Sequence, residues 1–265
     1  MYTSFQLIKK YLHYYCTAAN GKGHGIHSPF VFDFVWHVLN NKKQYLPPSS
    51  IEQVRKELLH DKQIIDIEDL GAGSRIETRK QRAIQQVAVT AVKPKKYSQL
   101  FYRLVRHYKP QTIIELGTSL GITTAYIAMA NPAAQVFTIE GSTALGDKAK
   151  SVFDRLAFNI VQVIQGNFDT ELPVLLQKIE KVNLAYIDGN HRYEPTLHYF
   201  HQLLMKCGEE SILVFDDIHW SAEMEKAWQA IKNHPDVRCT IDIFFLGFAF
   251  FRNDFKERQH FTIRF

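Results

Sequence analysis

Short apolar runs alternate with longer amphipathic segments throughout the second half of the chain. The apolar runs cover residues 111–117, 135–140, 160–165, 183–188 and 211–216. The segments between and after them, which have helical periodicity, cover residues 122–129, 147–156, 172–179, 196–205 and 222–233. This alternation predicts right-handed βαβ units and a mostly parallel sheet. Because the runs are apolar throughout, we expect the sheet to be covered on both faces.

The pattern changes at the end of the chain, where β-rich segments follow one another without a helix between them. These segments cover residues 239–245, 248–252 and 260–265, and Gly247 separates the first two. Such a series is typical of an antiparallel edge added to a parallel sheet. The sequence therefore predicts an α/β fold with a mostly parallel seven-stranded sheet and an antiparallel C-terminal edge.

The first part of the chain has the periodicity of helices. Helices are predicted near residues 2–19, 30–40, 51–60, 77–92 and 97–108. Ser28 and Pro29 are a good start for the second helix, because a hydroxyl caps the helix and proline suits its first position. We therefore predict a helical cap over residues 1–95 and an α/β domain over residues 96–265.

Composition limits the environment of the protein. Hydrophobic residues make up 46% of the 265 residues, which is enough for a sizeable core. No apolar run approaches the roughly 20 residues of a membrane span, and the first ten residues lack the features of a signal peptide. The cysteines, Cys16, Cys207 and Cys239, are far apart and odd in number. Reduced thiols and a cytoplasmic location are therefore expected.

Charge is distributed unevenly along the chain. Residues 1–110 contain 18 basic and 8 acidic side chains, whereas residues 111–265 contain 14 and 19. The basic surplus is densest between Arg75 and Lys109, and it could face an anionic ligand. A solvated helix face explains the same pattern and is the favoured reading. No RNA-recognition, zinc-finger or helix-turn-helix signature is present, so nucleic acid is not the expected partner.

A glycine-containing turn joins the first apolar run to the first helix of the α/β part. It reads Glu115-Leu-Gly117-Thr-Ser-Leu-Gly121 and lies at the carboxyl edge of the predicted sheet, where open α/β folds bind ligands. The two glycines allow the backbone to approach a ligand closely, and the amides of residues 121–124 could bind a carboxylate. A dinucleotide fingerprint would need glycine at Ser119 and Ile122, so a nicotinamide-dependent oxidoreductase is disfavoured.

The E-x-G-x-x-x-G spacing resembles the first motif of class I S-adenosylmethionine (SAM) dependent methyltransferases. More narrowly, it is similar to the small-molecule O-methyltransferase branch, which is catechol- and caffeoyl-CoA-like, or class 24-like. Further blocks of this resemblance, over about residues 95–252, are 96–108, Glu140, 166–168, 184–193 and 214–220. The resemblance implies a Rossmann-like methyltransferase fold with an N-terminal helical extension, and SAM as the cofactor.

The resemblance also implies which residues bind the cofactor. Glu140 corresponds to the acid that holds the SAM ribose, and Asn167 and Phe168 to the segment near the adenine. The complete set of expected cofactor-binding residues is Glu115, Gly117, Thr118, Ser119, Gly121, Thr123, Glu140, Gly141, Asn167, Phe168 and Asp188.

The blocks at the fourth and fifth predicted strands imply a metal-assisted reaction. Asp188, Asp216 and Asp217 correspond to the family's metal ligands, and three oxygen ligands suit Mg²⁺ or Ca²⁺. His191 stands where catechol-type enzymes have a lysine base, and with Asp188 it is the expected catalytic pair. Asp217 and His191 depart from the asparagine and lysine of the pattern, which puts a catechol substrate in doubt. Helix capping by the aspartates and a structural role for His191 remain alternatives.

The expected function is O-methylation of a small-molecule acceptor, which the basic stretch and the aromatic N-terminus suggest is anionic or aromatic. Many relatives pair subunits, so a homodimer is expected. Two alternatives that keep SAM are an N-methyltransferase and a regulatory protein that binds SAM or its product, S-adenosylhomocysteine (SAH), without turnover. The D/N-P-P-Y motif of exocyclic amino-group methylation is absent, because Asp188-Gly-Asn-His191 stands at that position.

Two other motifs could be mistaken for sites. The segment 69–74 also looks like a first methyltransferase motif, but no ribose-binding acid follows it at the required spacing. We interpret it as a glycine-rich loop that could form a lid over the pocket. His24 and His27 have an H-x-x-H spacing, but Gly25 indicates a loop and no further ligands accompany them. Structural or acceptor-contacting histidines are the favoured interpretation.

Overall fold

A computed structural model describes residues 1–41, 49–68 and 81–265 of the chain. The 69–74 motif lies outside the described residues, so its predicted role as a lid stays a prediction. In the described ranges, no helix is both long enough and apolar enough to cross a membrane.

Eight strands of the described chain form one sheet, and two short strands form a hairpin. The hairpin pairs β1 with β2 antiparallel, and the strand order of the sheet is β10-β8-β9-β7-β6-β3-β4-β5. The strands are β1 (Ile64–Asp66), β2 (Gln81–Ala83), β3 (Thr112–Leu116), β4 (Gln135–Glu140), β5 (Val161–Gln165), β6 (Val182–Ile187), β7 (Cys207–Asp216), β8 (Cys239–Asp242), β9 (Leu246–Phe250) and β10 (Gln259–Thr262).

The predicted α/β class with a mostly parallel sheet is confirmed. The antiparallel strand is β9, which pairs with β7 on one side and with β8 on the other. The last strand, β10, runs parallel to β8 and adds an eighth strand to the seven predicted. Every residue of β8 and β9 is buried, as expected for strands covered on both faces.

Ten α-helices lie in the described ranges. They are α1 (Ser4–Thr17), α2 (Pro29–Phe34), α3 (Ser49–Leu58), α4 (Ile84–Thr90), α5 (Lys95–Tyr108), α6 (Ile122–Ala130), α7 (Thr143–Arg155), α8 (Phe168–Lys178), α9 (Tyr193–Leu204) and α10 (Ala222–Asn233). Ser28 caps α2 as predicted, since its hydroxyl accepts the amide hydrogen of Val31. The helix then continues as a π-helical turn over Val35–Leu39.

The predicted helix over residues 77–92 was wrong in its first part. Residues 81–83 form strand β2, in which Ala83 pairs with Ile64 and Gln81 with Asp66. Their backbone groups thus pair with β1, an earlier segment of the chain. Helical periodicity within one segment cannot reveal such a pairing. The helix itself begins at Ile84.

The chain divides into two compact units. The first contains Met1–Asn40 and Leu176–Phe265, and the second contains Asn41–Leu175. In the second unit, one apolar cluster joins α3, α4, α6 and α7, with Ile51, Ile84, Tyr126 and Phe153 among its buried members. The predicted division into a cap and a SAM-binding domain at residue 95 stays a prediction.

The first helix is fixed to the rest of the first unit by aromatic packing and by hydrogen bonds to the C-terminus. Tyr14 is buried and packs against Phe244, with ring centroids 5.2 Å apart. Its hydroxyl donates to the carbonyl of Ile263 at 2.5 Å and accepts the amide hydrogen of Phe265 at 3.1 Å. Ala19 also pairs with Ile263 in a parallel bridge. The N-terminal segment is therefore an integral part of this unit.

A network of charged side chains fixes the same helix to α10 and β8. Glu225 accepts hydrogen bonds from Lys10 and Tyr2, and His219 lies between Glu225 and Asp242. Burial opposes the ionisation of Glu225, but these hydrogen bonds outweigh it and lower the pKa of its carboxyl. Burial likewise opposes protonation of His219, but Asp242 and Glu225 outweigh it and raise the pKa of the imidazole.

Replacing Tyr14 by phenylalanine should destabilise the protein by about 1–3 kcal/mol, because the buried carbonyl of Ile263 and the amide of Phe265 lose their partner. Urea unfolding measures this change. Tyr15→Phe is the matched control: it removes a hydroxyl from an exposed ring on the same helix, so its effect should stay within about 0.5 kcal/mol. Equal effects of the two variants would contradict the anchoring role of Tyr14.

Candidate active site

The loop after β3 has the left-handed backbone that its glycines allow. The φ angles of Gly117, Ser119 and Gly121 are 103°, 49° and 75°. Gly121 caps the start of α6, and a Cβ atom placed on it would lie 2.7 Å from the ring of Phe153. Both the backbone angle and the close approach of Phe153 therefore require glycine at this position.

Glu115, at the fourth position of β3, is completely buried beneath this loop. Its Oε2 atom accepts hydrogen bonds from the hydroxyls of Thr124 at 2.5 Å and Thr138 at 2.7 Å. The hydroxyls of Thr118 and Thr138 lie 2.6 Å apart. This predicted cofactor residue thus connects the loop to β4 and α6. Thr123 is also largely buried, in the first turn of α6.

Glu140 ends β4 and connects two loops through its carboxylate. One oxygen accepts the amide hydrogen of Ser119 at 2.8 Å, and the other accepts that of Ser142 at 3.0 Å. Only 9% of the residue is exposed, and this burial raises the pKa of the carboxyl, although the backbone hydrogen bonds act in the opposite direction. The structure therefore brings Glu140 and Ser119 together, and their binding of a cofactor stays a prediction.

Two hydroxyl groups beside this carboxylate fit a polar ligand. The side-chain oxygens of Ser119 and Ser142 are buried, and neither has a hydrogen-bond partner among the described residues. Leaving a buried hydroxyl unsatisfied costs about 1–3 kcal/mol. A carboxylate flanked by hydroxyls suits the hydroxyl groups of a ribose, so these residues fit SAM. The motifs did not identify Ser142, although a hydroxyl two residues after Glu140 was a signal.

The segment after β5 begins a helix. The side chain of Asn167 accepts the amide hydrogen of Asp169 at 2.9 Å, and Phe168 is the first residue of α8. Asn167 thus caps this helix. Contact of Asn167 and Phe168 with adenine stays a prediction, as does cofactor binding by the half-buried Gly141.

In the first unit, the structure groups three residues that could ligate a metal. One potential ligand atom from each of Asp188, His191 and Asp216 lies within 4.8 Å of the other two. Asp188 follows β6 and Asp216 ends β7, so the carboxyl ends of two adjacent parallel strands supply the carboxylates. The hydroxyl of Tyr186 donates to Oδ2 of Asp188 at 2.7 Å, and Nε2 of His191 lies 3.7 Å from its Oδ1.

Asp217, the predicted third metal ligand, is outside this group. Its backbone has a φ of 51°, and its amide donates to the carbonyl of Phe245 at 2.7 Å. The group that the structure forms contains the imidazole of His191 in its place. Two carboxylates and an imidazole are a chemically suitable set for a divalent metal ion, with a somewhat softer character than three carboxylates.

Trp220 lies against the imidazole of His191. The two ring centroids are 5.9 Å apart and the planes differ by 16°. The amide of Trp220 donates to the carbonyl of Asp217, which closes a tight turn after β7. Sequence reasoning included Trp220 in the strand-five block but gave it no role in the site.

Comparison with known proteins identifies the type of domain. Residues 114–218 match the model of a family described as a methyltransferase domain. This segment resembles a methyltransferase domain. It includes the loop after β3, Glu140, Asp188, His191 and Asp216, and the predicted resemblance to methyltransferases is confirmed.

Solved structures of methyltransferases share the fold. An SAH-bound methyltransferase from Podospora anserina has a TM-score of 0.61 at 13% identity, covering 80% of this chain and 92% of that one. An O-methyltransferase from Bacillus cereus with SAH has a TM-score of 0.58 at 17% identity, covering 79% and 94%. An O-methyltransferase from Streptomyces achromogenes with SAM has 0.54 at 18%, covering 62% and 83%. No curated protein matches the chain.

The motif formed by His24 and His27 lies outside the matched segment 114–218. His24 and His27 are exposed, and Gly25 between them has a φ of 82°, in agreement with the predicted loop. Within the described ranges, the one group of potential metal ligands does not include either histidine.

Replacing Gly121 by alanine should lower the stability of the protein more than replacing Gly25 by alanine. Both glycines have left-handed backbone, which costs alanine about 1–2 kcal/mol. At Gly25 the added methyl group would meet nothing within 4 Å, whereas at Gly121 it would meet Phe153, which adds about 1–3 kcal/mol. Urea unfolding of the two variants measures the difference. Equal losses would show that the clash with Phe153 is relieved without cost.

Proposed function

We propose that the protein transfers the methyl group of SAM to an oxygen atom of a small-molecule acceptor. One observation carries this proposal: in a methyltransferase domain, a buried carboxylate, Glu140, is held between the amides of Ser119 and Ser142 beside two buried hydroxyls. The names of the structural neighbours, which include O-methyltransferases bound to SAM or SAH, support the choice of cofactor and of oxygen as the acceptor atom.

The cofactor would be held by the second unit. Glu140 would accept hydrogen bonds from the ribose hydroxyls, and Gly117 and Gly121 would let the backbone approach the ligand. The amides at the start of α6 would face the carboxylate of the amino-acid part. Bound SAM would supply an electrophilic methyl group, which the acceptor oxygen would take from sulfur with SAH as the product.

The acceptor would be activated by residues of the first unit. His191 would accept the proton that the acceptor hydroxyl loses, with Asp188 orienting the imidazole from 3.7 Å. Asp188 and Asp216 would hold Mg²⁺ or Ca²⁺, which lowers the pKa of a bound hydroxyl. Either His191 or Asp217 would be the third metal ligand. If His191 ligates the metal through its available nitrogen, that nitrogen cannot also accept the proton of the acceptor.

The rings at this group favour an aromatic or otherwise planar acceptor. The parallel planes of His191 and Trp220 are the support for this part of the proposal. The basic N-terminal half supports an anionic group on the acceptor. These two features define a class of substrates and do not single out one compound.

Two further properties complete the proposal. We propose a homodimer, because α1 exposes an apolar stripe of Phe5, Ile8, Leu12 and Tyr15; sedimentation equilibrium would show a monomer if this is wrong. We propose a cytoplasmic location, because all three cysteines are free. Thiol labelling of the protein from cells tests their redox state.

Calorimetry with SAH tests the cofactor. The wild-type protein should bind SAH saturably, and Glu140→Ala should weaken binding roughly tenfold to a hundredfold per lost hydrogen bond to the carboxylate. Since burial raises the pKa of Glu140 above the ordinary 4.5, wild-type affinity should decline on acidification while the pH is still above that value.

The control for this measurement is Asp154→Ala, which removes an exposed carboxylate from the same unit and should leave SAH affinity unchanged. Tight binding of a nicotinamide cofactor with no binding of SAH would overturn the proposed function. Binding of SAH without methylation of any small hydroxyl compound would favour the regulatory alternative.

Titration with Mn²⁺, followed by its electron paramagnetic resonance signal, tests the metal. Asp216→Asn removes a carboxylate that would ligate the metal directly. It should weaken Mn²⁺ binding by more than the roughly 10–100-fold that loss of an outer-shell partner causes. His191→Ala and Asp217→Asn identify the third ligand, because only the variant that loses it should show a similar decrease. Asp236→Asn removes an exposed acid of the same unit and serves as the control. Unchanged binding in Asp216→Asn would remove the metal from the mechanism.

A further inference from the structure

The turn that follows Asp216 is held by a histidine that the proposed reaction does not use. His219 places Nε2 2.8 Å from Oδ2 of Asp242 and Nδ1 3.1 Å from Oε1 of Glu225. Its ring stacks on Phe244, with centroids 5.2 Å apart and planes 27° from parallel. Both ring nitrogens and one face of His219 are therefore engaged, which leaves the imidazole little freedom to rotate.

Glu225 extends this contact to the beginning of the chain. Its carboxylate accepts a hydrogen bond from the hydroxyl of Tyr2 at 2.7 Å and from Nζ of Lys10 at 2.9 and 3.0 Å. The amide of Tyr2 in turn donates to the carbonyl of Trp220 at 3.1 Å. The N-terminal segment thus holds the turn at two points: through Glu225 to His219, and directly at the backbone of Trp220.

Trp220 connects this network to the candidate metal group. Its backbone is fixed by Tyr2 on one side and by Asp217 on the other, and its ring lies 5.9 Å from that of His191. A stacked ring restricts the imidazole to orientations in one plane. The plane of His191 in turn determines which way its nitrogens point relative to Asp188 and Asp216.

We propose that His219 and Glu225, with Tyr2 and Lys10 of the N-terminal segment, are positioning residues that hold Trp220 against His191 and so orient that imidazole. They act through the turn and the Trp220 ring. The functional importance of these positioning residues rests on the proposed function. The orientation of the His191 ring can be measured whether or not the proposed function is correct.

Nuclear magnetic resonance of the His191 ring protons in the full chain tests the proposal. The stacked indole shifts these protons by its ring current, so Trp220→Leu supplies the reference for lost stacking and His191→Gln assigns the signals. Glu225→Ala removes the contacts with Tyr2, Lys10 and His219 together. It should move the His191 signals most of the way to their positions in Trp220→Leu.

The matched control is Tyr14→Phe, which removes two hydrogen bonds between the same N-terminal helix and residues 263–265 but leaves the contacts of Glu225 in place. It should leave the His191 signals where they are in the wild type. If Glu225→Ala does not fold, Tyr2→Phe removes one peripheral hydrogen bond and should produce a smaller shift in the same direction. Unmoved His191 signals in the folded variants, or equal movement in Tyr14→Phe, would overturn the proposal.

Two further measurements separate this inference from the proposed function. Mn²⁺ affinity should decrease by about 10-fold or more in Glu225→Ala if His191 is a ligand, as expected for an outer-shell partner, and SAH affinity should be unchanged. If the wild-type protein does not bind SAH, the proposed function is wrong, but the ring-current result remains valid. Conversely, intact SAH binding with unmoved His191 signals would end only this inference.

Discussion

The candidate cofactor site of the second unit depends on one buried carboxylate. Glu140 is 9% exposed, and it keeps both oxygens satisfied by accepting amide hydrogens from Ser119 and Ser142. Ionising a carboxyl at such a position is unfavourable unless hydrogen bonds compensate. The loop after β3 and the backbone at Ser142 therefore direct two amides at one acid, and we propose that this acid meets the ribose of SAM.

A related constraint operates in the first unit, where one turn serves both structure and chemistry. Asp216 ends a buried strand, and the next four residues turn back through the hydrogen bond between Trp220 and Asp217. Fixing that turn requires partners from Glu225, Asp242 and the N-terminal segment. The helix at the start of the chain is thus connected to the surroundings of His191, although nearly 190 residues separate them in sequence.

Much of the fold could be predicted because its signals are local. Apolar runs of six or seven residues predicted β3, β4 and β6, and a serine followed by proline predicted the start of α2. The prediction failed at β2. Its three residues follow no local pattern, and they form a strand because they pair with β1. Among the candidate ligands, Asp188 and Asp216 followed from their strand ends. The observed group contains His191 and not Asp217, which strand ends and motif spacing did not indicate.

The sequence by itself determined the α/β class, the glycine turn after β3 and the acids at the carboxyl ends of β4, β6 and β7, because strand periodicity and motif spacing record these directly. Only the tertiary structure decided that Trp220 stacks on His191, and that Tyr2 and Lys10 meet Glu225. These contacts join residues from distant parts of the chain, or depend on the orientation of a ring. They arise from packing, which no pattern within a single segment encodes.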